Sequence, residues 1–176
     1  MGLIPAWVDG RLVPVGKLEA HARGLRHPAI SAFVMDGNRT LLQRRALGKY
    51  HTPGLWANAC CTHPHWEEGG IEAAEDCARR RLHEELGIEG LALRPAGQVE
   101  YRADVGGGLT EHEVVDIFLA EAPGTLALAP DPEEVAETRW IAMDALAAEI
   151  EDAPGRFVPW LRIYLAEHAD RIFRAA

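Results

Sequence analysis

The sequence predicts a mixed α/β domain. Three observations carry this: apolar runs of strand length on both sides of one strongly periodic helix, glycine-marked turns between them, and further helical segments closing the chain. Residues 29–35 (AISAFVM) are an unbroken apolar run that suits a buried strand. Asp36, Gly37 and Asn38 mark a turn, and residues 40–43 (TLLQ) return as the second arm of a hairpin. Residues 49–56 (KYHTPGLW) hold Pro53 and Gly54 and read as a loop, whereas residues 57–62 (ANACCT) read as a short strand ended near Pro64. The main helix is expected over residues 71–86. Ile71, Ala74, Ala78 and Leu82 recur there at spacings of three and four on one stripe, with Gly87 as the C-terminal cap. Strands at 99–103 and 112–120 flank a turn at Gly106, Gly107 and Gly108. A last strand is expected at 139–141, with helices at 143–150 and 160–173, the second just after Pro159. No repeat or long linker divides the chain, so one domain over residues 1–176 is expected.

Composition narrows the function classes. The chain has 176 residues, 48% of them hydrophobic and 26% charged, enough for a real core. A net charge of -9 disfavours nucleic acid or an anionic membrane as the main partner. No segment approaches the ~20 apolar residues of a membrane span. The start, MGLIPAWVDGRLV, lacks the basic-then-apolar order of a signal peptide, so a cytoplasmic protein is expected. Cys60, Cys61 and Cys77 make a poor disulfide framework, and each alone reads as a small buried hydrophobe.

Strand parity sorts the candidate chemical groups. Residues two apart on a strand share a face, so Cys61 falls with His63 and Cys60 points away. Glu111 and Glu113 repeat that spacing, and two carboxylates on one face repel unless a cation or proton lies between them. A solvated strand edge is the plain alternative. His21 and His27 lie outside any apolar periodic pattern. With His63, Glu111 and Glu113 they offer three imidazoles and two carboxylates, a set suited to Zn²⁺, Mn²⁺ or Fe²⁺, or to Mg²⁺. Lys17, Arg44, Arg45 and Lys49 lie near these residues in sequence, and Arg79, Arg80 and Arg81 sit on the central helix. Such groups bind phosphate when they converge and are solvated surface charge when they do not.

At residues 80–88 the chain reads RRLHEELGI, which resembles the helix of the Nudix box, here a segment of about residues 66–88. Glu72 falls on an earlier glutamate of that box. Arg81 stands where Nudix hydrolases carry a catalytic glutamate, and Trp66 falls near an expected glycine. Three further stretches carry a closer resemblance: KLEAHARGLRH (17–27), QRRALGKYHTPGLWANACCTHP (43–64), and EYRAD (100–104) followed by EHEV (111–114). From about Val8 onward the chain resembles the type 1 isopentenyl-diphosphate isomerase family, with Thr62 where that family often has glycine.

The resemblance implies a Nudix-like α/β/α sandwich with a mixed sheet, and an isomerase of a small homoallylic or allylic diphosphate. It implies that His21, His27, His63, Glu111 and Glu113 bind one divalent metal, Mn²⁺, Mg²⁺ or Zn²⁺. Glu85 would help hold a Mg²⁺ arriving with the diphosphate. Lys17, Arg45, Lys49 and Arg81 would contact that diphosphate. Cys61 and Glu113 would move the protons, assisted by Tyr101, with Trp160 against the alkyl end. A Nudix-type pyrophosphohydrolase and a non-catalytic metal-binding module are the rival readings. Monomer and homodimer both stay open.

Overall fold

The computed structural model describes residues 2–173. An N-terminal hairpin, β1 (Leu3–Val8) and β2 (Arg11–Gly16), leads into a short helix, α1 (Lys17–Ala22). β3 (Arg26–Asp36) and β4 (Arg39–Arg45) form the expected hairpin. β5 (Trp56–Asn58) and β6 (Cys60–Thr62) follow, then a small pair, β7 (Trp66–Glu67) and β8 (Gly70–Ile71). The central helix is α2 (Ala74–Leu86). β9 (Arg94–Gly106) and β10 (Leu109–Glu121) flank the glycine turn, and β11 (Val135–Ala142) ends the sheet. α3 (Met143–Asp152), α4 (Pro159–Glu167) and α5 (Ala169–Ile172) close the described chain.

The main sheet runs β11-β4-β3-β10-β9 and is mixed, because β10 lies parallel to β3 and the other pairs are antiparallel. β3 and β4 pair only beside their turn, at Met35–Thr40 and Asp36–Arg39. Beyond that they separate, and the gap is filled by β5 pairing with β4 and β6 pairing with β3. This wedge carries Cys61 into the middle of the sheet.

Period-two alternation divides the core into two layers. Ile30, Ala32 and Val34 of β3 pack with Cys60 against Cys77, Ala78, Leu82 and Leu86 of α2. Ala29, Phe33 and Met35 point the other way, into a cluster with Leu146 of α3 and Trp160, Leu161 and Tyr164 of α4. The result is helix, sheet, helix: an α/β/α sandwich.

Gly87 ends α2 in the left-handed conformation, with φ 67°, and its N–H returns to the His83 carbonyl. A Cβ there would lie 2.8 Å from Ala129 Cβ. Gly87→Ala is therefore expected to cost about 2–3 kcal/mol, the positive φ and the overpacking both opposing it. Denaturant titration of the two proteins checks this.

Some boundaries differ from the sequence reading. The helix starts at Ala74 because Gly70–Ile71 pairs with Trp66–Glu67, which leaves Ile71 exposed and outside the stripe. The expected helix over 160–173 breaks at His168, with φ -132° and ψ 4°. Trp56 belongs to β5 rather than to the preceding loop. No helix of the described residues is long and apolar enough to cross a membrane.

Candidate active site

α1 and the first residues of β3 bring His21 and His27 beside the end of β10. There Glu113 pairs in register with His27. His63 follows directly after β6. One ligand atom from each of His21, His27, His63 and Glu113 lies within 4.8 Å of the others, and all four residues are buried. His63 Nε2 is 2.8 Å from Glu113 Oε1, and His27 Nε2 is 3.5 Å from the same oxygen.

Backbone carbonyls set the imidazoles. His21 Nδ1 lies 2.7 Å from the Lys17 carbonyl, and His27 Nδ1 lies 2.7 Å from the Leu25 carbonyl. A ring that donates through Nδ1 presents the Nε2 lone pair on its far side. His27 Nε2 and His63 Nδ1 are buried without a hydrogen-bond partner. Burial lowers His21 to about 4 and holds His63 well below the ordinary imidazole range, so both rings are neutral. Neutral, converging, unsatisfied imidazoles beside a carboxylate fit a divalent cation, as either metal-ligand chemistry or the cost of buried unpaired nitrogens would require.

The two carboxylates differ. Burial works against an ionised Glu113, but the His27 and His63 rings beside it outweigh that and hold the carboxyl well below the usual range. Burial, then the charge of Glu113, pushes Glu111 well above that range. Tyr101, opposite Glu113 on β9, places its hydroxyl 2.8 Å from an oxygen of each. One phenol proton serves one acceptor, so a proton on Glu111 lets both contacts be hydrogen bonds: Glu111 donates to the phenol oxygen and the phenol donates to Glu113.

Cys61 lies opposite Ser31 in the β6–β3 register. Its Sγ is 3.0 Å from Ser31 Oγ and donates to Asn58 Oδ1 at 3.2 Å. Asn58 Nδ2 donates to Ser31 Oγ at 2.9 Å. Burial pushes the thiol well up, so it is protonated. Cys60 turns its side chain to the other face, against α2, and only its backbone carbonyl meets this network, accepting from Asn58 Nδ2 at 3.3 Å.

One narrow cavity, about 30 Å³, is lined by Cys61, Glu113, Glu111, Tyr101 and Trp160 together with Lys17, Arg45, Lys49 and Arg81. The cations feel one another: burial first, then Lys49, Arg81 and Arg45, lower Lys17 to about 8. Glu134, just before β11, pairs with both Lys49 and Arg81. Arg45 Cζ stands 5.5 Å from the centre of the Trp160 ring.

Most of the sequence-predicted residues thus meet in one place. Glu111 joins through a second group with His21 and His51 rather than through the first. Glu85 is outside both groups: Gln43 Nε2 donates to its Oε2 at 2.6 Å, and Arg81 holds its Oε1. Cys61 and Glu113 sit on separate strands, β6 and β10. They belong to one sheet, with β3 between β6 and β10, because β6 is inserted into that sheet. Sequence reasoning passed over Ser31, Asn58, Glu134 and His51. Ser31 alone carried a signal, as the one polar residue inside an apolar run.

The fold and the matched profile define a NUDIX-domain protein: the NUDIX domain family matches residues 25–161. Solved structures agree at the level of fold. DR0079 from Deinococcus radiodurans superposes with a TM-score of 0.69 at 17% identity, covering 98% of this chain and 99% of that one. A MutT NUDIX hydrolase from Burkholderia pseudomallei gives 0.60 at 23% identity, covering 81% and 98%. Curated relatives are far more similar in sequence. Isopentenyl-diphosphate Delta-isomerase of Cereibacter sphaeroides is 70% identical over 171 residues, 97% of this chain and 94% of that protein. The enzymes of the same name from Dinoroseobacter shibae and Ruegeria pomeroyi are 64% and 60% identical, covering 97% of this chain and 95% and 93% of their own lengths. The chain belongs to the isopentenyl-diphosphate Delta-isomerase family.

Proposed function

We propose that residues 1–176 act as one catalytic domain that interconverts isopentenyl diphosphate and dimethylallyl diphosphate. One observation supports this most strongly: a buried thiol and a carboxylate of a metal-binding cluster line the same cavity as four cationic side chains. The reaction adds a proton to the terminal alkene carbon, leaves cationic character on the tertiary carbon, and removes a proton from the methylene on its other side. One acid and one base must therefore hold opposite ends of the alkene.

Cys61 and Glu113 are the pair in this reading: one gives a proton and the other takes one, and the roles exchange in reverse. Tyr101 bridges Glu113 and Glu111 through its hydroxyl. The Trp160 ring faces the cationic carbon, a contact worth ~2 kcal/mol when water is excluded. His21, His27, His63, Glu111 and Glu113 would hold Mn²⁺, Mg²⁺ or Zn²⁺, which would make a proton on Glu113 more acidic. Lys17, Arg45, Lys49 and Arg81 hold the diphosphate, whose binding energy positions the alkene. Both oxygens of Glu85 are engaged, so a Mg²⁺ carried by the diphosphate would reach it once Arg81 turns to phosphate.

The test is incubation of the protein with isopentenyl diphosphate and Mg²⁺ in D₂O. The expected result is deuterium in the allylic product with no phosphate released. Release of phosphate without allylic product would make the chain a pyrophosphohydrolase.

Lys17 gives a second expectation. Its proton affinity is depressed in the free site, to about 8, and an arriving diphosphate restores it. Below about pH 7 the lysine is charged in both states and contributes no proton uptake. Between about pH 8 and 9.5 binding takes up a proton, so affinity falls as pH rises. Calorimetry in buffers of different ionisation enthalpy measures that uptake, and Lys17→Met should remove it.

A further inference from the structure

The histidine–carboxylate cluster has a second part that the roles above leave unused. His51 is buried, at 6% exposure, in the loop between β4 and β5. It groups with His21 and Glu111, one ligand atom of each within 4.8 Å of the others. Two of those three residues are ligands in the proposed cation site. We propose that His51 is a sixth protein ligand of that cation, completing an octahedral set with His21, His27, His63, Glu111 and Glu113; this rests on the proposed function's metal site.

Three observations on the His51 ring support it. Its Nδ1 lies 3.0 Å from Thr52 Oγ1, so Nδ1–H can donate there and leave the Nε2 lone pair free. Nε2 lies 3.5 Å from Glu111 Oε1. The ring stacks on His21, with centroids 5.7 Å apart and planes at 25°. The backbone adds a fourth. Thr52, the residue that orients the ring, has φ 46°, a left-handed conformation that a β-branched residue adopts only against strain. Such strain persists where surrounding structure requires it, and it marks functional positions. A packing role would need only an aromatic ring. It would need neither the Thr52 contact nor a nitrogen beside Glu111.

The consequence is chemical. With each carboxylate binding through one oxygen, five protein ligands would leave a six-coordinate cation one position for water, beside a cationic intermediate that water would trap. A sixth ligand on the cavity side fills that position. His51 lines the cavity and lies edge-on to Trp160, at 6.0 Å between centroids. It would therefore exclude water at the point where the alkene sits.

Mn²⁺ provides a test independent of turnover. Metal-free wild-type protein, His51→Ala, His51→Gln and the surface control His83→Ala are titrated with Mn²⁺. Free ion is read by electron paramagnetic resonance, and ion-bound water by solvent proton relaxation. Wild type and His83→Ala are expected to bind one Mn²⁺ tightly with little relaxation enhancement. His51→Ala should bind about 10–100-fold more weakly, with enhancement rising as water takes the vacated position. His51→Gln keeps the volume and guards against a folding defect; it should weaken binding as well. Unchanged affinity and relaxation in both His51 variants would overturn the proposal. So would loss of a separate, weaker second Mn²⁺ with the first unaltered, which would make His51 part of another site. Failure of wild type to bind any Mn²⁺ would overturn the metal reading of the proposed function itself, a result distinct from either.

Discussion

Cys61→Ala is expected to lower turnover by about 10²–10⁴-fold while leaving diphosphate affinity within about twofold, because in the proposed mechanism the thiol moves a proton and the diphosphate is held by other side chains of the cavity. Cys60→Ala should leave turnover nearly unchanged. Its sulfur is buried against α2, on the opposite face of the sheet, so the loss appears as modest destabilisation instead. Steady-state kinetics on both variants, with pyrophosphate binding by calorimetry, separate the two residues. Equal loss of turnover in both would refute the assignment. Ser31 and Asn58 give the comparison extra content. They hold Sγ at 3.0 and 3.2 Å, so Asn58→Ala should keep the thiol but misdirect it and lose less than Cys61→Ala.

Glu113→Gln is expected to be as damaging to turnover, and to weaken cation binding in addition. The glutamine is nearly isosteric but carries no exchangeable acid proton and no charge. It would leave His27 and His63 facing a neutral amide where they now hold a carboxylate well below its usual range. Glu111→Gln should be milder, because Glu111 already favours its neutral form, pushed up by burial and by Glu113. Titrating activity against Mn²⁺ distinguishes them: excess metal should restore much of the Glu111→Gln activity and little of the Glu113→Gln activity. Rescue of Glu113→Gln by metal alone would reduce that residue to a ligand.

The sheet was readable wherever one physical period dominated. The apolar run at 29–35, the stripe on α2 and the glycine turn at 106–108 each state their element locally, and the structure places β3, α2 and the β9–β10 turn there. The parity that set Cys61 apart from Cys60 survives because β6 pairs regularly with β3. The N-terminal hairpin escaped notice because Pro5 and Pro14 interrupt short strands with weak alternation. Ile71 misled because its spacing fits the helix, whereas its backbone pairs with Trp66. His51 and Glu134 lie in loops with no periodicity, 60 and 23 residues from the Glu111 that anchors the cluster in sequence, and only tertiary folding brings such residues to a site.

Glu134 has a thermodynamic consequence. Its single carboxylate is shared between Lys49 and Arg81, two of the four cations proposed to hold the diphosphate. Binding is therefore an exchange of anions. Only the surplus of the incoming charge over the resident one appears as affinity, because each partner lost from Glu134 must be regained from the ligand. A monoanion would gain almost nothing from that exchange. A diphosphate held as proposed would satisfy both cations and still engage Lys17 and Arg45, so the resident glutamate would set a threshold that discriminates by valence before the hydrocarbon end is tested.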